Sequence, residues 1–153
     1  DESAVGFGTN LAAKFSISDM VSIQGGLTLT DGANGYLWHS GENFYGASAY
    51  LDGNSLETIA GYGGQIGMSV DLGDGDSVKF VYGTTTLDLD DAVNDGALTS
   101  GAAETNQNVF VNYSWKPVKN VMMGVEYGYF NQETQGGGTS DASRLMFAAQ
   151  YNF

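Results

Sequence analysis

Alternation with period two governs this chain, and no apolar stretch approaches the ~18 residues that a membrane-spanning helix needs. In the last segment Leu145, Phe147, Ala149, Tyr151 and Phe153 alternate with Arg144, Met146, Ala148, Gln150 and Asn152. Successive side chains of a strand point to opposite faces of its sheet, so this pattern makes one apolar and one mixed or polar face. A single such segment would also suit a half-buried strand of a soluble sandwich. Seven of them in one chain point to strands with lipid on one side and a polar lumen on the other.

The other segments repeat the pattern. Val5 to Ile17 sets Phe7, Leu11, Ala13 and Phe15 against Gly8, Asn10, Lys14 and Ser16, and Val21 to Leu29 follows with Ser22, Gln24 and Thr28 opposite. A third strand is expected from Leu56 to Val70, with Glu57, Gln65 and Ser69 on its polar side, and a fourth from Ser77 to Gly83 with Lys79. In the fifth, Val109, Val111, Tyr113 and Trp115 oppose Asn106, Asn108, Asn112 and Ser114. In the sixth, Val121, Met123, Val125, Tyr127 and Tyr129 oppose Gly124, Glu126 and Gly128, and Ala142 to Phe153 closes the set. Short links at Ser18 to Met20, Leu72 to Asp76 and Lys116 to Asn120 interleave with long ones at Asp31 to Ser55, Leu87 to Glu104 and Asn131 to Asp141. Outer-membrane barrels have short periplasmic turns and long extracellular loops, and a periplasmic C-terminus puts every short link on the periplasmic side. The expected fold is therefore all-β, a transmembrane antiparallel up-and-down barrel wall of about seven strands, with residues 1–153 forming one domain. Asn43 to Leu51 reads as structured loop, and as an extra strand only if the chain is a small barrel.

Charge and composition narrow the functions. Five Lys and Arg against a net charge of -13 argue against a nucleic-acid partner, which would need clustered cations. The chain has no cysteine, hence no disulfide or thiolate metal site, and no signal peptide is visible at Asp1. Within the strand bodies, Lys14, Lys79 and Arg144 all fall on the polar phase, where water can solvate them; the alternative, charge against lipid, costs ~2–4 kcal/mol at the midplane. With Glu57 and Glu126 as the main inward acids, these residues are the expected pore-lining set. Rings of Lys and Arg favour anions, although the same cations could pair with Glu126 and stiffen the wall. Phe15, Phe80, Trp115, Tyr151 and Phe153 gather near the short-turn end, as an interfacial girdle would.

Catalytic and metal chemistry find little support, so no enzyme activity and no cofactor are expected. The single histidine, His39, sits beside Ser40 in a long loop, and adjacent residues seldom form a productive catalytic pair. The acidic loop at Asp88, Asp90, Asp91 and Asp95 places Ala92 where an EF-hand needs Asp or Asn. DLGDGD, from Asp71 to Asp76, reads as a tight turn before it reads as a calcium site. The runs GYGG and QGGG lack the helix and Lys of a phosphate loop.

The stretch NYSWKPVKNVMMGVEYGYFNQET, then SRLMFAAQYNF, resembles the C-terminal end of the DcaP-like trimeric porins, on Trp115, Pro117, Gly124, Glu126, Tyr127, Arg144, Tyr151 and Phe153. GFGTNLAAKFSIS, LTDGANGYL and LETIAGYGG resemble that family in order and spacing, so the likeness covers nearly the whole chain. It implies a sixteen-stranded, homotrimeric outer-membrane channel for small, often anionic solutes such as carboxylates. Its partners would be outer-membrane lipid, lipopolysaccharide and the barrel assembly machinery. Seven strands leave unpaired edges in hydrocarbon, so the expectation is the C-terminal part of a longer porin. The rival is a non-conducting eight-stranded barrel with an anchoring or adhesion role, using Asn43 to Leu51 as the extra strand.

An alternating last strand ending on Tyr151 and Phe153 resembles the signal read by the assembly machinery. Deleting Phe153 is expected to lower sharply the heat-modifiable folded protein in outer membranes; undiminished yield would remove that role.

Overall fold

The computed structural model describes residues 3–37 and 47–153. The alternating segments become seven long strands of one antiparallel sheet: β1 (Phe7–Ser16), β2 (Val21–Asp31), β5 (Ala60–Gly73), β6 (Asp76–Leu87), β7 (Ala103–Val118), β8 (Val121–Thr134) and β9 (Thr139–Tyr151), neighbours in that order. Between β2 and β5 the chain makes a 3-10 turn at Asn34–Tyr36 and a separate hairpin of β3 (Ala49–Asp52) and β4 (Ser55–Thr58). A five-residue helix, α1 (Asp90–Asn94), lies in the link between β6 and β7. The sheet is an up-and-down meander, and among the described residues β1 and β9 each pair on one side only.

Three expectations change. The strand expected from Leu56 to Val70 breaks at the buried Ile59, and its first part pairs with β3 instead of continuing the sheet. Because β2 pairs directly with β5, no eighth strand enters between them, and Asn43–Leu51 does not supply one: Ala49 to Leu51 belong to the hairpin and residues 43–46 lie outside those described. The link expected from Asn131 to Asp141 is mostly strand, since β8 and β9 stay paired up to Glu133 and Thr139. Nothing in a polar strand tip marks its end once apolar alternation has stopped.

Register puts the apolar residues in continuous rows. One row crosses the whole sheet: Phe15, Ile23, Met68, Phe80, Val111, Tyr127 and Leu145, each opposite the next. All of these side chains except the half-buried Ile23 are exposed, Phe15 at 68% and Leu145 at 61%, whereas Thr30, Thr85, Asn108 and Phe110 on the other face are buried. Such burial is inverted relative to a soluble sheet, which hides its apolar face. The polar face carries the inward-folded loops and the cavities.

The strands are tilted, and the short turns measure by how much. Counted from that apolar row, the centres of the β1–β2, β5–β6 and β7–β8 turns lie four, six and eight residues away, a climb of one residue per strand. One residue of ~3.3 Å for each strand spacing of ~4.8 Å corresponds to a tilt of about 35°. Closed barrels have that tilt, ~35–45°. The turns themselves are locally encoded: in the two-residue β5–β6 turn Asp74 and Gly75 both have positive φ (55° and 89°), as a type I′ hairpin requires.

Placing charge on this outer row should cost far more than placing it one residue on. Val111→Arg is expected to destabilise the protein by ~2–4 kcal/mol in urea titrations from lipid vesicles, and Asn112→Arg by less than ~1 kcal/mol. Equal effects would contradict the assignment of faces.

Candidate functional site: the polar face of the sheet

Among the described residues, a buried apolar cluster sits at the long-loop end, on the polar face. Leu37, Ile59, Leu87, Leu89 and Ala92 are buried there, with Tyr50, Val93, Leu98 and Ala102 packed around them. Leu37 reaches the sheet because Gly61 is empty beneath it: a Cβ at Gly61 would lie 2.6 Å from Leu37 Cδ1. Asn34, fully buried, ties the turn down. Its side-chain amide donates to the carbonyls of Ala47 and Ile59 (2.9 Å each), its Oδ1 accepts from the Thr30 hydroxyl (2.6 Å), and its backbone N–H donates to Ser48 Oγ (3.1 Å). Buried polar groups persist only when bonded, so this network fixes where the loop lies. The segment after β2 therefore narrows the space over the polar face at this level.

The outer loops are also joined to one another. Tyr50 in β3 donates to Asp95 after α1 (3.0 Å). Desolvation, with the nearby carboxylates of Asp95, Asp91 and Glu57, pushes the Tyr50 phenol up to about 12, so it remains a donor throughout the physiological range. Gln135, in the β8–β9 link, donates to Asp90 (3.1 Å). Among the described residues no cluster of three or more His, Asp or Glu side chains is placed to hold a metal ion. His39 lies outside the described residues.

Of the residues singled out from sequence, Lys14, Lys79, Glu126 and Arg144 stand on the polar face, and Glu57 does not. Glu57 faces Tyr50 in the β3–β4 hairpin, because the break at Ile59 removed its strand from the sheet. Lys14 and Arg144 share one register row, which runs through Gln24, Gly67, Val81, Phe110 and Gly128. A row perpendicular to tilted strands is not level. Six strand steps raise Arg144 about six residues above Lys14, whereas Lys79 ends within about one residue of Lys14 in height. The lysines thus form a lower pair, and Arg144 sits roughly 14 Å above them, on the side of the long loops.

Arg144 is held by its surroundings. Its guanidinium stands 5.1 Å from the centroid of the Phe130 ring, and one terminal nitrogen is 3.8 Å from Glu126, which also accepts from Asn112 (3.4 Å). Phe130 meets Phe110 edge to face at 5.4 Å, and Phe110 lies across Gly128, where a Cβ would come within 3.0 Å of its ring. Cation–π contact and partly exposed pairing each contribute up to ~1 kcal/mol. Tyr151 and Phe153, at the other end of β9, touch only each other edge to face (5.5 Å) among the described ring contacts.

Sequence reading did not find Asn34, Tyr36 and Leu37 as site residues. A signal was present in Gly61 and Gly63, since small residues within a strand mark a close approach by another part of the chain.

No protein-family model matches the chain, and no curated protein does. Among solved structures, the outer membrane channel DcaP of Acinetobacter baumannii matches with a TM-score of 0.80 over 97% of this chain, at 24% identity. This chain spans 41% of the length of that channel. The likeness establishes the fold: a run of barrel wall in which β1 to β9 follow the path of an outer-membrane channel.

Removing the anchor should release the loop. Asn34→Ala removes three side-chain bonds: the Ala47 carbonyl loses its Asn34 partner, at ~1–3 kcal/mol if it stays buried, while the Thr30 hydroxyl and the Ile59 carbonyl lose one bond each and keep the Gly61 carbonyl and the Gly32 N–H. The Leu37 amide, which bonds the Asn34 carbonyl, is expected to exchange its hydrogen at least about 30-fold faster. Unchanged protection would show that Asn34 does not hold the turn.

Proposed function

We propose that the chain is part of the wall of an outer-membrane porin, a passive channel for small hydrophilic solutes. The observation that carries this reading is the inverted burial of the sheet: exposed apolar rows on one face, and on the other polar side chains, cavities and an inward-folded loop. Lipid suits the first face and water the second. The open edges of β1 and β9 would each cost several kcal/mol per unpaired backbone group in hydrocarbon, so in the working protein they pair with further strands. A tilt of about 35° allows such closure.

On this reading the short turns are periplasmic, the α1 link and the β3–β4 hairpin are extracellular, and Tyr151 and Phe153 end the strand read by the assembly machinery. Homotrimeric assembly, which the sequence resemblance implies, belongs to the same proposal. The interior gives small anions the lower barrier. Lys14 and Lys79 are exposed at one level and pair with no acid among the described residues, and Glu126 offsets Arg144 higher up. Both lysines also border one cavity of about 230 Å³, with Ser22, Gln24 and Ser69 between them.

Reversal potentials in a salt gradient, measured on the complete channel in planar bilayers, test this. Wild type is expected to prefer anions. Lys14→Gln with Lys79→Gln should reduce the preference roughly two- to fivefold, the effect of screened charges at pore distances, while Arg144→Gln does less. A cation-preferring wild type, or a double variant with unchanged preference, would transfer these lysines from selectivity to wall structure.

A further inference from the structure

We infer that the recess beneath the Asn34–Leu37 turn is a subsite for small uncharged polyols, a solute class separate from the anions attracted by the lysines. The inference rests on the reading of the polar face as a solute path. A cavity of about 160 Å³ opens there, and no charged side chain lines it. Its polar lining includes Asn10, Thr28, Gln65, Thr84, Thr85 and Asn108, a set of amides and hydroxyls on β1, β2, β5, β6 and β7. Together these offer donors and acceptors without a net charge, as a hydroxyl-bearing ligand needs and a carboxylate does not.

The space is built. Ala12, Gly26, Gly63 and Gly83 form its floor, and side chains there would fill it: a Cβ at Gly63 would meet Leu37 Cδ2 at 3.4 Å, and one at Gly83 would meet Asn108 Oδ1 at 2.9 Å. Tyr36 forms part of the rim and is 77% exposed, offering a ring face to the C–H side of a polyol and a hydroxyl to its rim. One polar partner is already oriented, since Asn10 Nδ2 donates to Thr28 Oγ1 (2.8 Å) and to the Leu27 carbonyl (3.2 Å). With its amide nitrogen so engaged, Asn10 contributes its side-chain oxygen to the lining as an acceptor for a ligand hydroxyl. The site stands above the lysine pair in the register, so a neutral solute meets it without first crossing a charged ring.

Saturation-transfer NMR on the complete detergent-purified barrel, with sorbitol as the probe, reads binding directly and does not depend on conduction. Sorbitol resonances are expected to be saturated by wild-type protein, with affinity falling roughly three- to tenfold in each of Gln65→Leu and Tyr36→Ala, the change from one lost hydrogen bond or ring contact. Heat-modifiability of both variants checks their fold, and Lys79→Gln should bind sorbitol as wild type does. No transfer in wild type, or equal transfer in folded Gln65→Leu and Tyr36→Ala, overturns the subsite. A barrel that binds sorbitol but conducts no ions would keep the subsite and overturn the channel.

Discussion

Every backbone N–H and C=O in this wall must find its partner on a neighbouring strand, because hydrocarbon offers none. The ladder that meets this demand fixes the rest. It makes successive side chains face opposite ways, so apolar residues collect in rows such as Phe15 to Leu145. It also sets the stagger of one residue per strand, and the stagger sets the tilt. Most of the large apolar side chains are thereby committed outward, and what remains inside is mainly small, polar or charged, with Phe110, Phe130 and the cluster around Leu37 as the exceptions. Glycines on the polar face then give space to whatever lies over them: Leu37 from the loop after β2 over Gly61, and Phe110 from the neighbouring strand over Gly128.

Stability and function divide along the same line. The long-loop end has its own apolar cluster around Leu37, Ile59 and Leu87, and it is tied by Asn34, Tyr50 and Gln135. The short-turn end is held by local turn chemistry, as at Asp74 and Gly75. Between them the polar face is zoned: two lysines at one level, then uncharged amides and hydroxyls, with Arg144 balanced by Glu126 and Phe130 nearby. On the reading proposed above, a solute path built this way would act by a few weak contacts, and weak contacts let solutes leave as well as enter.

Much of the fold was legible from residues alone, because period-two alternation is a direct image of the two faces. The seven strands, their order as a meander, and the short and long links all follow from it. Strand ends were less legible at the tips, where β8 and β9 continue through Asn131, Gln132 and Asp141 with no apolar residue to mark the phase. Glu57 misled for a related reason: one residue out of the sheet, Ile59, ends the ladder, and neither residue type announces it. Relative heights were invisible. Lys14 and Arg144 share a phase in the sequence and a row in the register, yet the tilt separates them, and tilt is a property of the whole sheet. The loop that narrows the polar face was hidden as well, since Asn34 and Leu37 are ordinary loop residues until Thr30 and Gly61 are beneath them.

The central claim is that odd positions along β7 face lipid and even positions face water. Spin labels placed singly at residues 108 to 114 in bilayer-reconstituted protein measure this through collision with oxygen, which favours lipid, and with a water-soluble nickel complex. The account predicts alternation with period two, with oxygen access highest at 109, 111 and 113 and nickel access highest at 112 and 114, and with the buried positions 108 and 110 shielded from both. Access that rises and falls smoothly along the segment, or an alternation of the opposite phase, would contradict it.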